Sequence, residues 1–142
     1  MRDILTPDAL AFFAGRSEAL ALYEALAGWL LGEFLAADIR PQRTQISFYE
    51  RRMFACVSLL PIGRKADRPR HYITVSFGLP CALESPRARA VPVRPDRWTH
   101  HVLVGDCADI DDELKRWLRE AHDFACRPTT KQQWRNDQQC SN

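Results

Sequence analysis

Residue types that carry chemistry are sparse in this chain of 142 residues. Two histidines, His100 and His101, are adjacent; five cysteines, Cys56, Cys81, Cys107, Cys126 and Cys140, are widely spaced; and Asp106, Asp109, Asp111, Asp112 and Glu113 form an acidic run. Adjacent residues of a strand face opposite sides, so the two histidines cannot chelate one ion. His101 reads as the outward one and a candidate general base, its ordinary pKa of about 6.5 suiting that work. His100 reads as a core histidine bonded to backbone. A Cys56–His101 nucleophilic pair needs direct contact, and in a simple meander the two stand two strands, about 9–10 Å, apart. No close-spaced ligand pair marks zinc, and an odd cysteine count without C-x-x-C speaks for reduced thiols. The acidic run lacks the glycine and ligand spacing of a calcium loop and fits the start of a helix. G-x-S-x-G, a P-loop, G-x-G-x-x-G and H-E-x-x-H are all absent from the sequence. No residue is therefore assigned to catalysis, a metal or a cofactor.

Charge points instead to an anion. The net +2 divides into −3 over residues 1–37, +7 over 38–104 and −2 over 105–142. Eleven of the twelve cations in the middle segment are arginine, the side chain best shaped for two-point contact with carboxylate or phosphate. No apolar run approaches the ~18 residues of a membrane helix, and Met1-Arg2-Asp3 does not open a signal peptide. The expected place is the cytoplasm, with no membrane partner.

The elements that must position these residues follow from hydrophobic period. Thr6-Pro7-Asp8 starts a short helix over Ala9–Ala14 that stops at Gly15. Ser17 caps a longer helix with an inner stripe of Leu22, Leu26, Trp29, Leu30 and Phe34. From Arg43 the period becomes two, predicting strands over Arg43–Tyr49, Met53–Leu60, Arg70–Leu79 and Trp98–Val104, with a turn at Arg51-Arg52. Pro80–Asp96, with four prolines, reads as a long loop able to act as a lid. Asp109 caps a last helix whose stripe is Ile110, Leu114, Trp117, Leu118, Ala121 and Phe124. Residues 1–128 are expected to form one domain, and 129–142 a polar, disordered tail.

Helices, strands, then a helix predict an α+β two-layer sandwich: an antiparallel β-meander with the N-terminal and C-terminal helices on one face. The other face is left open. On the expected register it carries Arg43, Gln45, Ser47, Tyr49, Phe54, Cys56, Ser58, Tyr72, Thr74, Ser76, Thr99, His101 and Leu103, with arginines at 51, 52, 64, 68, 70, 87, 89 and 97 around it. Arg43, Gln45, Tyr49, Tyr72, Thr74 and His101 are the candidate contacts for an anionic or polar ligand. The alternatives are a protein–protein interaction module and an enzyme using His101 as base. A nucleic-acid role finds exposed aromatics and a basic middle, but lacks the RNP1 pattern and a strongly basic domain.

Several runs resemble the domain of unknown function 5655 (DUF5655) family. They are Arg43-Thr44-Gln45-Ile46-Ser47-Phe48, Arg52-x-Phe54-Ala55-x-Val57, Ser76-Phe77-Gly78-Leu79-Pro80 with Ser85-Pro86-Arg87, Arg97-Trp98-x-His100-His101, and Asp111-Asp112-Glu113-Leu114-x-x-Trp117-Leu118. The likeness spans roughly residues 9–125. It implies no activity, since the family has none assigned, and it implies a small bacterial protein or a module of a larger one. The helix–meander–helix order is also similar to frataxin-like folds, an analogy of architecture alone. The chain departs from that pattern in lacking a dense acidic ridge on its first helix.

Overall fold

The computed structural model describes residues 4–127, so the expected tail lies outside the described residues. Helix α1 (Pro7–Phe12) is capped by the Thr6 hydroxyl, which accepts the Ala9 N–H at 3.1 Å. Helix α2 spans Ser17–Glu33. Ser17 is its first residue rather than its cap, and the Ser17 hydroxyl donates to Glu18 instead. Helix α3 spans Asp112–Cys126, and its cap is Asp111, not Asp109: the Asp111 carboxylate accepts the Leu114 N–H at 3.0 Å. Asp109 closes the preceding single turn, where it and Asp106 take each other's backbone N–H groups. The acidic run is thus consumed in ending one turn and starting a helix.

Six strands form one antiparallel sheet: β1 (Asp38–Pro41), β2 (Ile46–Glu50), β3 (Arg52–Ser58), β4 (Ile73–Leu79), β5 (Ala88–Arg94) and β6 (Arg97–Val104), in the order β1-β2-β3-β4-β6-β5. The four expected strands are β2, β3, β4 and β6, side by side as expected. Two edge strands were not expected. β5 lies inside the segment read as a lid; it is an edge strand, a place where proline is tolerated. It leaves no seventeen-residue lid. Arg43 falls in the β1–β2 turn rather than in a strand.

The α+β, two-layer reading holds: α2 and α3 cover one face, and the core lies between them and the inward residues of the sheet. Leu26, Leu30, Leu114, Trp117 and Leu118 meet Phe48, Val57, Val75, Phe77 and Val102, all buried. Arg87 ties the start of β5 to α3. Its guanidinium donates to Asp111 at 2.9 and 3.0 Å, to Glu113 at 3.1 Å and to the Asp109 carbonyl. Among the described residues no helix is long and apolar enough to cross a membrane.

His100 faces the helices, as its neighbour's outward position requires. It is fully buried, stacks on Phe77 at 5.5 Å and accepts the Leu83 N–H on Nε2 at 3.0 Å. Burial pushes its pKa down from 6.5 to about 4. The folded protein therefore binds a proton less readily than the unfolded chain, and the stability this neutral histidine supports is present above 6.5 and lost as the pH falls towards 4. The loss is about 3 kcal/mol. His100→Gln, which keeps an acceptor for Leu83, is expected to flatten that part of the stability–pH curve in urea titrations. An unchanged slope would show that other groups set it.

Candidate functional site

Antiparallel register, more than any sequence motif, assembles the open face. Arg40 pairs with Ser47, Ser47 with Cys56, Cys56 with Ser76, Ser76 with His101 and His101 with Arg89. One row of side chains thus crosses all six strands, with an arginine at each end. Cys56 and His101 stand two strands apart, about 10 Å by strand spacing, so they form no direct pair. Ser76 lies between them. Its Oγ is 2.7 Å from His101 Nδ1, and it stands opposite Cys56 across the β3–β4 pair.

The row's central members, Cys56, Ser76 and His101, form the floor of a pocket of about 220 Å³ lined also by Gln45, Met53, Ser58, Leu60, Gly78, Arg97 and Thr99 among others. One wall is the chain after β3, folded back onto the sheet. Leu60 is held there from both sides: the Thr74 hydroxyl donates to its carbonyl at 2.6 Å, and its N–H donates to Ser58 Oγ at 3.3 Å. On another side Arg97 lies across Gly78. A Cβ at Gly78 would stand 3.5 Å from the Arg97 Nη2, an ordinary van der Waals contact, so the guanidinium lies directly against this strand. Asp96, the nearest acid in sequence, lies 4.0 Å from Arg94. Among the described residues Arg97 makes no ion pair.

The six expected contacts separate on this face. Gln45 and His101 line the pocket. Gln45 donates to Gln42 at 3.2 Å and to Ser47 at 2.9 Å, and its amide sits 3.7 Å from Met53 Sδ. Thr74 is fully buried beneath Leu60, its hydroxyl committed. Tyr49 lies further along β2, with the Arg40 guanidinium 4.1 Å above its ring. Tyr72 precedes β4, half-buried and outside the pocket. Arg43 is exposed in the β1–β2 turn, lining a separate shallow depression with Asp8, Ala11 and Phe12. The arginines expected around the face are partly spent: Arg87 on α3 and Arg64 on Asp67 at 2.9 Å. Phe54 is not on the open face. A β-bulge turns it towards the helices, where it packs on Phe34 and His122. Ser76, Cys56 and Arg97 were visible in the sequence, but only the register brings them to one pocket.

Burial keeps the floor neutral. It pushes the Cys56 thiol above its ordinary value of 9.0, against the pull of the Ser76 hydrogen bond. Burial, with Arg89 nearby, holds His101 below 6.5. At neutral pH the row therefore rests as thiol, hydroxyl and imidazole, a set of hydrogen-bonding groups rather than a thiolate–imidazolium pair. Cys56, Cys107 and Cys126 are free thiols, whereas Cys81 is disulfide-bonded, correcting the expectation of reduced thiols throughout.

The family model described as Domain of unknown function (DUF5655) matches residues 9–125. No curated protein and no solved structure matches the chain.

Cys56 is 8% exposed with a raised pKa, and Cys107 is exposed. Iodoacetamide at neutral pH should alkylate Cys56 at least about tenfold more slowly than Cys107, since rate follows thiolate fraction and access. Peptide mapping by mass spectrometry checks this. Equal rates would mean that the thiol is activated.

Proposed function

We propose a ligand-binding role for this chain, which belongs to the DUF5655 family. It holds a small anion on the open sheet face, between Arg97 and the Ser76–His101 pair. The observation that carries this reading is Arg97: half-buried, laid over Gly78 at the pocket wall, and without a carboxylate partner among the described residues. A partly dehydrated guanidinium is costly unless an anion offsets the lost water. Its planar fork suits a carboxylate or phosphate with two parallel bonds. Gln45, Thr99 and Ser76 supply further hydrogen-bonding groups around the same space, and Met53 and Leu60 an apolar side. At about 220 Å³ the pocket falls below the usual range for drug-sized ligands, which suits a compact anion rather than a chain.

A second reading, an enzyme with His101 as base, draws on the 2.7 Å contact to Ser76. The neutral resting state of Cys56 favours binding over nucleophilic chemistry, and binding is the function argued here.

Calorimetric titration with acetate, succinate and inorganic phosphate, set against amines of similar size, tests it. One anion should bind at one equivalent and the amines should not. Arg97→Ala should weaken binding by at least about tenfold, or 1.4 kcal/mol, without moving the thermal midpoint. Because protonated His101 adds positive charge, affinity should tighten as the pH falls below 6.5, and His101→Gln should abolish that dependence while keeping binding. Anions and amines binding alike, or an unchanged Arg97→Ala, would sink the proposal.

A further inference from the structure

On the opposite face, at the tip of the β2–β3 hairpin, three side chains of different donor type converge. Glu50 ends β2, and His122 and Cys126 stand one turn apart near the end of α3. Their ligand atoms all lie within 4.8 Å of one another. His122 Nε2 is 3.1 Å from Glu50 Oε1 and 3.7 Å from Cys126 Sγ. We propose that Glu50, His122 and Cys126 bind one divalent cation of zinc-like preference, each through one atom, with the fourth position left for solvent or a small ligand.

The distances carry the argument. With Zn–N and Zn–O near 2.1 Å, Zn–S near 2.3 Å and tetrahedral angles, bound nitrogen and sulfur lie about 3.6 Å apart and bound nitrogen and oxygen about 3.4 Å. The His122–Cys126 and His122–Glu50 separations already approach both values. Residues four apart share one helix face, and the imidazole is held in its plane from two sides. Phe34 stacks on it at 4.1 Å and 12°, and Phe54 meets it edge-on at 4.9 Å and 80°. Arg51, in the left-handed region at φ 65°, donates to the Cys126 carbonyl at 3.3 Å and fixes the helix end to the hairpin.

Charge balance favours the same ion. A divalent cation, a thiolate, a carboxylate and a neutral imidazole sum to zero, so the filled half-buried site carries no net charge. In its absence the Cys126 S–H donates to the Glu50 carbonyl at 2.8 Å. Binding exchanges that bond for metal–sulfur, and the thiol proton leaves to solvent. Sulfur and imidazole donors select zinc-like ions over magnesium and calcium, which take oxygen.

Cobalt(II) titration of the full chain, with a non-thiol reductant present, tests the site. The expected result is tetrahedral d–d absorption with a sulfur-to-cobalt charge-transfer band that saturates at one equivalent and is bleached by Zn²⁺. Both should vanish in Cys126→Ser and His122→Gln and persist in Cys56→Ser and Cys107→Ser. Absence of the band in the unaltered chain, or its survival in Cys126→Ser, overturns the proposal. Should Cys126→Ser fail to fold by circular dichroism, Glu50→Gln decides. That variant keeps a hydrogen-bond partner for His122 and should bind cobalt at least tenfold more weakly; equal affinity overturns the site.

Discussion

Much of this molecule depends on one extra residue in β3. Phe48 pairs with Ala55 and Tyr49 with Met53, so Phe54 has no partner of its own and the strand bulges. Such a bulge lets two consecutive side chains face the same way. Phe54 and Ala55 both enter the helix side, and the alternation resumes out of phase on either side of them. Strict alternation would instead have set Phe54 over the open face beside Cys56. The bulge thus turns the Phe54 ring onto Phe34 and His122 as a wall of the His122 cluster. It also returns Met53 to the open face, where its sulfur meets the Gln45 amide.

The pocket exists because polar side chains on a sheet face found backbone partners. Ser58 and Thr74 would be ordinary solvated residues on a bare sheet. Here their hydroxyls hold the N–H and carbonyl of Leu60, each bond worth about 1 kcal/mol net, and the chain after β3 is fastened over them. Thr74 consequently disappears from the surface, and the floor of the pocket is left to Ser76 and His101. A candidate contact chosen by strand parity alone can be correct in direction and still be roofed over.

What could be read from the sequence was parity and period; what could not was register and edge. The alternation of Ser47, Cys56, Ser76 and His101 to one side follows from the two-residue period, and the structure keeps all four there. The two edge strands escaped for different reasons. β1 has only four residues and β5 carries Pro92, and a proline argues against a central strand but not an edge one. Asp109 and Asp111 are equally good caps in sequence; the single turn Cys107–Asp109, opened by Asp106, takes Asp109 and leaves Asp111 to start the helix. Arg43 was expected on the open face and Arg97 only around it; the β1–β2 turn carries the first away to a separate depression, and the packing of the second against Gly78 brings it to the pocket. The four-residue spacing of His122 and Cys126 was open to view, but Glu50 is 72 residues away from His122 in the chain, and no local pattern could join them.

Both faces meet in the β2–β3 hairpin, and their electrostatics differ in kind. The open face keeps the Arg97 guanidinium with no carboxylate partner among the described residues, the feature on which the proposed anion site rests. The hairpin tip has a carboxylate against an imidazole and a thiol, so it is already satisfied by hydrogen bonds and gains from a cation only by exchanging the thiol proton for it. Under the proposed reading the first arrangement makes affinity depend on Arg97, with His101 adding to it only in acid. The second makes occupancy depend on pH through the released proton. A five-residue strand that begins beside Gln45 and ends at Glu50 therefore separates the two proposed sites, which would have opposite charge preferences. Filling the tip would fasten the bulged strand to α3 at the end where Phe54 is turned inward.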